Sequence, residues 1–396
     1  MIFNHYSAKL SELDLAFSRA VPPGGNWRDI PENLPSKRLE QIRKSAAEGK
    51  GSRSTYYGRL LPNAPSYTIG TYYTRPGNGC FLHPDAEQHR TISHREAARL
   101  QSFPDSFEFS GSQRQICMQI GNAVPPLLAM QIAEALGPAG QMVDVFAGCG
   151  GLSLGFKWQG WATLAATDFN RDAVDVFNRN VGGRAFVGDM NDDAVIDRLV
   201  ESTRGRASDK PLAVVGGPPC QGFSTGGRRR TESDERNHLH ERYSLLLDRM
   251  EPDFFVFENV TGLLSMSGGA FLERILAGFD RVGYDTCVWK MNAAEYGVPQ
   301  RRVRVIIVGT KKGIKRLPIK PLEWTSVNAG DLLIERPATT VWEAIGDLPA
   351  VTAGENLRTP NYRNRPFGDY QRLMRGSIDP KAFLSSTRGD KANLAA

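Results

Sequence analysis

Residues 142–156 read MVDVFAGCGGLSLGF, an apolar run that passes through glycines into a second apolar stretch. This pattern is typical of a β-strand, a tight turn and the start of an α-helix. Gly148, Gly150 and Gly151 lack side chains that would keep a ligand from the backbone, and a helix amino terminus favours electron-rich groups. The spacing differs from the GxGxxG of dinucleotide folds. A purely structural turn therefore stays open as an alternative.

Short apolar runs begin with this stretch and recur after it, up to about residue 310. They are MVDVF, WATLAAT, RAFVG, LAVVGG, DFFVFENV and RVRVIIVG, with helical patterns between most of them. Strands that alternate with helices predict an α/β fold with a doubly wound, mostly parallel sheet. Residues 1–90 are rich in Pro, Gly, Tyr and Arg and predict loops and short strands. Residues 313–396 are likewise rich in Pro, Arg and Gly, with one helix predicted at TVWEAIGDL (340–348).

Composition limits the classes of protein to consider. The chain has 396 residues, of which 40% are hydrophobic and 23% charged, as expected of a globular protein with two or three domains. No signal peptide or membrane span is predicted, so we expect a cytoplasmic protein. Five cysteines without CxxC spacing argue against disulfides and zinc, and we expect no metal. A net charge of +6 permits a polyanionic partner without requiring one.

Acidic residues follow two of the predicted strands. Asp168 ends the run WATLAATD, where a carboxylate can accept hydrogen bonds from ribose hydroxyls. Phe169 beside it could cover an adenine, and Asp189 ends the third run. Each carboxylate alone could be an ordinary helix cap. Together with the glycines, these strand ends point to a nucleoside cofactor.

A thiol follows the fourth run, in GGPPCQGFST (216–225). Cys220 should therefore lie at the same edge of the sheet, although a free cysteine is more often a buried apolar residue. One strand later FFVFENV carries Glu258, and a carboxylate beside a thiol suits addition of the thiolate to a ring carbon. Arg302 and Arg304 are one residue apart and would share a strand face, as a clamp for a phosphate or carbonyl or as a solvated surface.

The stretches FAGCGGLSLGF, PPCQGFS, ENV and PQRRVRVIIVG, in this order, resemble the DNA (cytosine-5) methyltransferase family. Two further family motifs, HRTISHREAARLQSFPDSF (89–107) and QIGNAVPPLLAMQIAEAL (119–136), stand before the glycine-rich turn instead of after the arginine pair. The chain therefore resembles a circular permutation of the usual order, with GPAGQ (137–141) as the linker.

The resemblance implies a Rossmann-like S-adenosylmethionine-dependent methyltransferase fold with a smaller, irregular target recognition domain. The catalytic domain would span 113–312, and 89–112 would be a junction or hinge. The recognition domain would combine 1–88 with 313–396, because the usual segment between the two motif groups is split between the chain ends.

The resemblance also assigns site residues. Around S-adenosylmethionine, Phe146, Gly148, Gly150 and Leu152 would border the cofactor, Asp168 would bind its ribose, Phe169 and Asp189 its adenine, Asn122 and Val124 its methionine end, with Leu239 in the same pocket. Cys220 would be the nucleophile, Pro219 would shape its turn, Glu258 would face cytosine N3, and Arg302 and Arg304 would hold the base and the active loop. The candidate DNA contacts are Gln221, Ser224, Arg228, Arg229, Arg230 and Gln300.

The implied function is methylation of carbon 5 of cytosine in a specific duplex DNA sequence, by base extrusion and transient addition of Cys220 to carbon 6. We expect a monomeric bacterial or phage modification enzyme that binds double-stranded DNA, with or without a restriction endonuclease for the same site. RNA methylation is one alternative, although Gly222-Phe223 differs from the usual pair in relatives that act on transfer RNA. An inactive DNA-binding subunit would be expected to lack Cys220 or Glu258. A nicotinamide-dependent oxidoreductase would leave both without a role.

Overall fold

The computed structural model describes residues 1–49, 55–207, 209–219, 238–314, 318, 320, 321, 327–329, 332–334, 338–359 and 361–388. The chain forms two compact units. The first contains Met1–Asn122, Val298–Arg301 and Pro337–Ala396, and the second contains Ala123–Gly297 and Arg302–Arg336. Residues from both ends of the chain thus belong to the first unit, together with residues 89–122.

Helices and strands follow one another along the whole chain. Up to residue 122 they are β1 Ile2–Tyr6, α1 Glu12–Ala20, α2 Lys37–Ala47, β2 Gly58–Arg59, β3 Cys80–Leu82, α3 His94–Leu100 and α4 Gln113–Asn122. The second unit contains α5 Pro126–Ala135, β4 Gln141–Val145, α6 Gly151–Trp158, β5 Ala162–Asp168, α7 Arg171–Asn180, β6 Ala185–Val187, α8 Asp193–Glu201, β7 Leu212–Gly216, α9 Leu239–Met250, β8 Phe254–Val260, α10 Ala270–Arg281, β9 Tyr284–Asn292, β10 Val303–Lys311, β11 Val327–Ala329 and β12 Leu332–Ile334. The last elements are α11 Val341–Ile345, β13 Asn356–Thr359, α12 Asp369–Met374 and α13 Pro380–Arg388.

The sheet of the second unit confirms the predicted fold class. Among the described residues its strand order is β6-β5-β4-β7-β8-β10-β9. Strands β4 to β8 pair in parallel, whereas β10 runs antiparallel to both β8 and β9. Within this sheet β4 comes first in sequence. The strands β5 and β6 are then added on one side of β4, and β7 follows on its other side. In such sheets this reversal point opens the ligand crevice at the carboxyl ends of the strands.

Alternate strand residues bury one face of this sheet against α8, α9 and α10. Val143, Val214 and Phe255 lie in one apolar cluster with residues of these three helices. Tyr243 of α9 is fully buried in the cluster, and its hydroxyl lies 3.1 Å from the Val214 carbonyl oxygen and 3.0 Å from that of Val256. The hydroxyl thus bridges β7, which precedes Cys220 in sequence, and β8, which contains Glu258.

The sequence prediction missed β9. Its residues, YDTCVWKMN, alternate between buried and exposed positions and contain no continuous apolar run. Such alternation is expected of a strand that pairs on one side and is half exposed. The apolar runs therefore identified β4 to β8 and β10, whereas the antiparallel edge strand β9 was not predicted.

Two helices correct the prediction of loops and short strands for residues 1–90. Ser11 caps α1 by accepting a hydrogen bond from the Asp14 amide, and Ser36 caps α2 in the same way from Leu39. Both helices pack on a small apolar cluster that contains Phe17, Val21, Trp27, Ile30, Leu39, Ile42, Tyr57 and Leu82. The helix predicted at 340–348 is present as α11.

Strand pairing and buried arginines join distant parts of the first unit. β1 pairs with β13 in antiparallel orientation. Arg59 donates to the carbonyl oxygens of Val21 at 2.7 Å and His83 at 2.6 Å. Arg99 pairs with Asp347, 248 residues further along the chain, at 2.5 Å. The amino- and carboxyl-terminal segments are therefore held together by both backbone and side-chain bonds.

One stretch, Gln113–Ala135, passes a test of length and apolar composition for a membrane span, but 83% of its most apolar window is buried in the protein. It comprises α4 and α5. A buried core helix of a globular protein passes the same test, so the stretch is weak evidence for a membrane.

Candidate functional site

The turn after β4 places the glycine-rich stretch at the carboxyl edge of the sheet. Phe146, Gly148 and Gly150 have φ angles of 57°, 54° and 93°. A Cβ at Gly148 would meet nothing within 4 Å, whereas one at Gly150 would lie 2.7 Å from Val181 and 2.8 Å from Phe177. Gly148 thus faces open space that a ligand can use. Gly150 is instead required by packing against α7, which corrects the expectation that it opens the backbone to a ligand.

Asp168 lies at the end of β5 and binds this turn. One carboxylate oxygen accepts the Gly148 N–H at 2.8 Å and the other accepts the Asn170 N–H at 2.9 Å. Burial raises the pKa of Asp168, and the two N–H donors act against that rise. Each oxygen retains a lone pair for a further donor. The carboxylate therefore orders the turn and can still accept a bond from a hydroxyl.

Two further predicted cofactor residues lie at exposed positions after β5 and β6. Phe169 has 69% of its surface exposed. Asp189 is also exposed, and its carboxylate accepts the Asn191 N–H at 2.9 Å. An apolar ring that has little protein contact, beside a strand-end carboxylate, suits a flat heterocycle.

Other predicted cofactor residues are placed less favourably. Leu152 and Leu239 are 6% exposed, and Leu239 belongs to the apolar cluster under α9. Asn122 is exposed at the end of α4 in the first unit, whereas Val124 is buried in the second. The structure therefore brings Gly148 and Asp168 into contact, whereas Leu152 and Leu239 are buried side chains and Asn122 and Val124 belong to different units.

These residues fit a nucleoside-containing cofactor. Gly148 supplies an open backbone position with left-handed φ, Asp168 supplies acceptors, and Phe169 supplies an exposed ring. Acceptors at the carboxyl end of a parallel strand match ribose hydroxyls. Among the described residues, no group of three His, Cys, Asp or Glu side chains could hold a metal ion.

Glu258 and Arg304 form an ion pair at the carboxyl end of β8. Nε of Arg304 lies 2.8 Å from Oε1 of Glu258, and their side chains are 14% and 12% exposed. In the antiparallel register Glu258 is opposite Ile306, and Arg304 is opposite Val260. The pair is thus diagonal across two strands, where long side chains can meet. The arginine orients the carboxylate and leaves its second oxygen for another partner.

The backbone after β7 approaches this carboxylate closely. A Cβ at Gly217 would lie 2.8 Å from Oε2 of Glu258. Next to it, the Asn259 side chain is 3% exposed, and its Nδ2 donates to the Pro218 carbonyl oxygen at 3.2 Å. The amide also accepts the Val260 N–H at 2.8 Å. Asn259 therefore ties the end of β8 to the segment that leads through Pro219 to Cys220.

The sequence did not predict this role of Asn259, because the role depends on a hydrogen bond to Pro218, 41 residues earlier in the chain. Pro219 is half-buried. Cys220, Gln221, Ser224, Arg228, Arg229 and Arg230 lie outside the described residues.

Arg302 and Arg304 differ in burial and in their place relative to β10. Arg302 precedes β10 and is 1% exposed, whereas Arg304 lies within the strand. Burial lowers the pKa of Arg302, the Arg304 charge acts in the same direction, and Glu258 opposes both. Arg304 therefore orients the carboxylate, and Arg302 is a buried charge beside it.

Gln300 was predicted to contact DNA, and the structure corrects this. Its side chain is fully buried in the first unit. Oε1 accepts the Ile69 N–H, and Nε2 donates to the Leu100 carbonyl oxygen and to Oε1 of Gln101. An amide whose oxygen and nitrogen are both used inside the protein is not available to a base or phosphate.

The three buried cysteines among the described residues are poor nucleophiles. Burial raises the pKa of Cys80 and of Cys149 to about 12, and it also raises the pKa of Cys117. Because the thiolate is the reactive form, these thiols are inert near neutral pH. Cys149, in the glycine-rich turn, is thereby a weaker candidate nucleophile than its position suggests.

Comparison with known proteins shows which family the chain resembles. The family model for C-5 cytosine-specific DNA methylases matches residues 19–138 and 140–372. Type II methyltransferase M.AgeI of Thalassovita gelatinovora is 37% identical over 259 residues, 62% of this chain and 60% of that protein. M.DdeI of Desulfomicrobium norvegicum is 36% identical over 59% of this chain and 54% of its own length. The chain thus spans less than two thirds of the length of these relatives. A putative DNA modification methyltransferase encoded within an E. coli prophage has a TM-score of 0.45 and 26% identity, covering 59% of this chain and 64% of that one.

Proposed function

Because the chain belongs to the C-5 cytosine-specific DNA methylase family, we propose that it methylates carbon 5 of cytosine in a specific duplex DNA sequence. The observation that carries the proposal is the Glu258–Arg304 ion pair. It lies against Gly217, three residues before Cys220. A carboxylate held in place beside a thiol-bearing segment is the arrangement that addition to a pyrimidine ring requires.

S-adenosylmethionine is the cofactor, and it supplies the methyl group when bound. We assign its ribose to Asp168 and its adenine to Phe169 and Asp189. Phe146, Gly148 and Leu152 would border it, while Asn122, Val124 and Leu239 remain weaker assignments. The open position at Gly148 and the free lone pairs of Asp168 support this binding mode.

The protein residues divide the reaction between them. The Cys220 thiolate forms a bond to carbon 6 of cytosine, and the electron pair displaced from the ring double bond makes carbon 5 nucleophilic. Glu258 binds the nitrogen 3 edge of the ring, and Arg304 holds the carboxylate in that orientation. After methylation, loss of the carbon 5 proton restores the double bond and breaks the bond to sulfur. Asn259 and Pro219 position the thiol.

The DNA substrate must change shape for this chemistry. Carbon 6 is stacked inside a duplex, so the base must rotate out at a cost of a few kcal/mol. We assign Gln221, Ser224 and the basic run Arg228–Arg230 to the contacts that hold the extruded base and the backbone phosphates. The proposed setting is a bacterial cytoplasm. There the protein acts as a monomer, and its relatives' names as Type II methyltransferases suggest a restriction endonuclease for the same site.

We also propose that the motif order is circularly permuted, with the recognition domain built from both chain ends. The two blocks of the family match adjoin at residue 139, inside the predicted linker. A Cβ at Gly155 would lie 2.3 Å from the Pro126 carbonyl oxygen and 2.5 Å from the Ala129 Cβ, so α5 packs tightly on α6. The β1–β13 pairing further supports a single unit built from both ends.

The test is transfer of a labelled methyl group to random-sequence duplex DNA, with bisulfite sequencing to locate 5-methylcytosine. Cys220→Ala and Glu258→Gln should abolish or strongly reduce transfer, whereas Cys149→Ala should retain it. A chelator should have no effect. DNA containing 5-fluorocytosine should form a denaturant-stable adduct on Cys220, because fluorine cannot leave as a cation. Undiminished activity of Cys220→Ala, or an adduct on Cys149, would refute the mechanism. Transfer to RNA alone would refute the substrate.

A further inference from the structure

The loop between β9 and β10 contributes four residues to the first unit. Val298–Arg301 belong to that unit, whereas Gly297 and Arg302 belong to the second. The base of the loop is closed within the second unit by a 2.9 Å hydrogen bond from the Ala293 N–H to the Arg302 carbonyl oxygen. The chain therefore passes from the first unit directly into the arginine motif at Arg302 and Arg304.

Gln300 lies in this four-residue segment and uses its whole amide group. Oε1 accepts the Ile69 N–H at 2.8 Å. Nε2 donates to the Leu100 carbonyl oxygen at 3.1 Å and to Oε1 of Gln101 at 2.9 Å. One buried side chain thus binds two segments, at Ile69 and at Leu100–Gln101, from which it is separated by 231 residues and by 200 and 199 residues of sequence.

Further bonds align the segment after Pro65 with the same loop. The Ser66 N–H and hydroxyl both donate to the Pro299 carbonyl oxygen at 3.0 Å, and the Arg301 N–H donates to the Ser66 carbonyl oxygen at 2.8 Å. The Thr68 hydroxyl donates to the Arg301 carbonyl oxygen at 2.7 Å. Residues 66–69 and 299–301 are therefore in a fixed register, with Gln300 as the buried link.

The segment that Gln300 holds carries exposed aromatic and basic side chains. Tyr67 and Tyr72 are 46% and 49% exposed. The Arg75 guanidinium lies 5.7 Å from the centre of the Tyr72 ring, and Arg301 is exposed on the partner segment. Aromatic rings and arginines of this kind are the side chains that contact nucleic acid bases and phosphates.

We propose that Gln300 is a positioning residue that keeps the exposed segment 67–75 in register with residues 299–301 of the same unit, and so sets how selectively the protein uses its DNA sequence. The inference rests on the proposed function.

Gly121 gives an independent way to disturb the same segment. A Cβ there would lie 2.6 Å from the Gly70 carbonyl carbon and 2.7 Å from the Thr71 nitrogen. These are backbone atoms, so Gly121→Ala must displace residues 70–71 while it leaves Gln300 unchanged. Gln300→Met removes the amide bonds directly. Gln371→Met is the matched control, because Gln371 is a fully buried glutamine of the first unit whose amide binds Phe367 and Trp342.

The measurement is the ratio of initial methylation rates on the preferred duplex and on its single-mismatch neighbours, at saturating S-adenosylmethionine, together with the Tm of each variant. The preferred duplex is first found by bisulfite sequencing with the wild-type protein. Gln300→Met and Gly121→Ala should each lower the ratio about tenfold, which is within the discrimination that one base-pair position provides in protein–DNA recognition. Gln371→Met should lower the Tm similarly and leave the ratio unchanged.

An unchanged ratio in Gln300→Met overturns the inference, and so does an equal loss of selectivity in Gln371→Met. If Gln300→Met does not fold, Gly121→Ala decides, and a wild-type ratio in that variant overturns the inference. A wild-type protein that methylates no duplex overturns the proposed function itself. The two failures are therefore distinguishable.

Discussion

Replacing Gly217 by alanine tests the site with a single added carbon atom. The new Cβ would lie 2.8 Å from Oε2 of Glu258, whereas an ordinary contact begins at 3.4 Å, so the oxygen must move by about 0.6 Å. The carboxylate cannot turn away without disturbing its 2.8 Å bond to Arg304. A displacement of 1 Å can cost about a hundredfold in rate, so we expect kcat to fall about tenfold, or roughly 1.4 kcal/mol of transition-state stabilisation.

The assay is steady-state methyl transfer to duplex DNA, with kcat and both KM values measured separately. Gly183→Ala is the matched control, since a Cβ at Gly183 would meet nothing within 4 Å in the same unit. The control should have wild-type kcat. Gly217→Ala should keep the KM for S-adenosylmethionine, because Asp168 and the glycine-rich turn are unchanged.

A wild-type kcat for Gly217→Ala would show that the Glu258 carboxylate is not held where the reaction needs it. A rise in the KM for S-adenosylmethionine without a change in kcat would place Gly217 in the cofactor site instead. Either result would refute the reasoning that links the backbone after β7 to the orientation of this carboxylate.

Three further changes have defined outcomes. Asn259→Asp would place an oxygen 3.2 Å from the Pro218 carbonyl oxygen. We expect kcat to fall by about tenfold to a hundredfold, in line with about 1–3 kcal/mol for a buried unsatisfied group. Single-turnover kinetics would measure this fall, and an unchanged rate would show that the bond between Asn259 and Pro218 does not position the thiol. Asp168→Ala removes the acceptor of the Gly148 N–H and should weaken S-adenosylmethionine binding in calorimetry, with DNA affinity as the control. Burial raises the pKa of Asp144 from 3.8 to about 7, so the folded protein binds this proton more tightly than the unfolded chain and stability falls as pH rises from about 4 to about 7. Asp144→Asn should flatten that fall in Tm, and parallel curves for the two proteins would contradict the assignment.

The strands could be predicted from the sequence where both of their faces are buried in the protein. Strands β4, β7 and β8 are almost entirely buried, so each is a mostly apolar run, and Glu258 is recognisable because it lies near the end of such a run. Asp168 is recognisable in the same way at the end of β5, although only the second half of that strand is buried. Strand β9 alternates and gives no such run. The fold class and the strand-end carboxylates could therefore be predicted, but the antiparallel edge could not.

Long-range polar contacts explain what the sequence could not predict. Gln300 is next to an exposed arginine in a basic stretch, and nothing local distinguishes a glutamine that faces DNA from one that is buried. Its burial depends on Ile69, Leu100 and Gln101, which are near only in the folded chain. The same holds for Asn259, whose partner Pro218 lies on another strand end.

Two glycines of the turn after β4 have different structural roles although they belong to the same sequence motif. Gly148 and Gly150 are two residues apart, and both have positive φ. At Gly148 an added Cβ would point into open space, so the backbone there can receive a ligand. At Gly150 the same atom would collide with Phe177 and Val181, so the residue allows α7 to pack against the turn. One glycine thus leaves open space beside the backbone, where we propose that the cofactor binds, and the other lets α7 pack against the turn that Asp168 also holds.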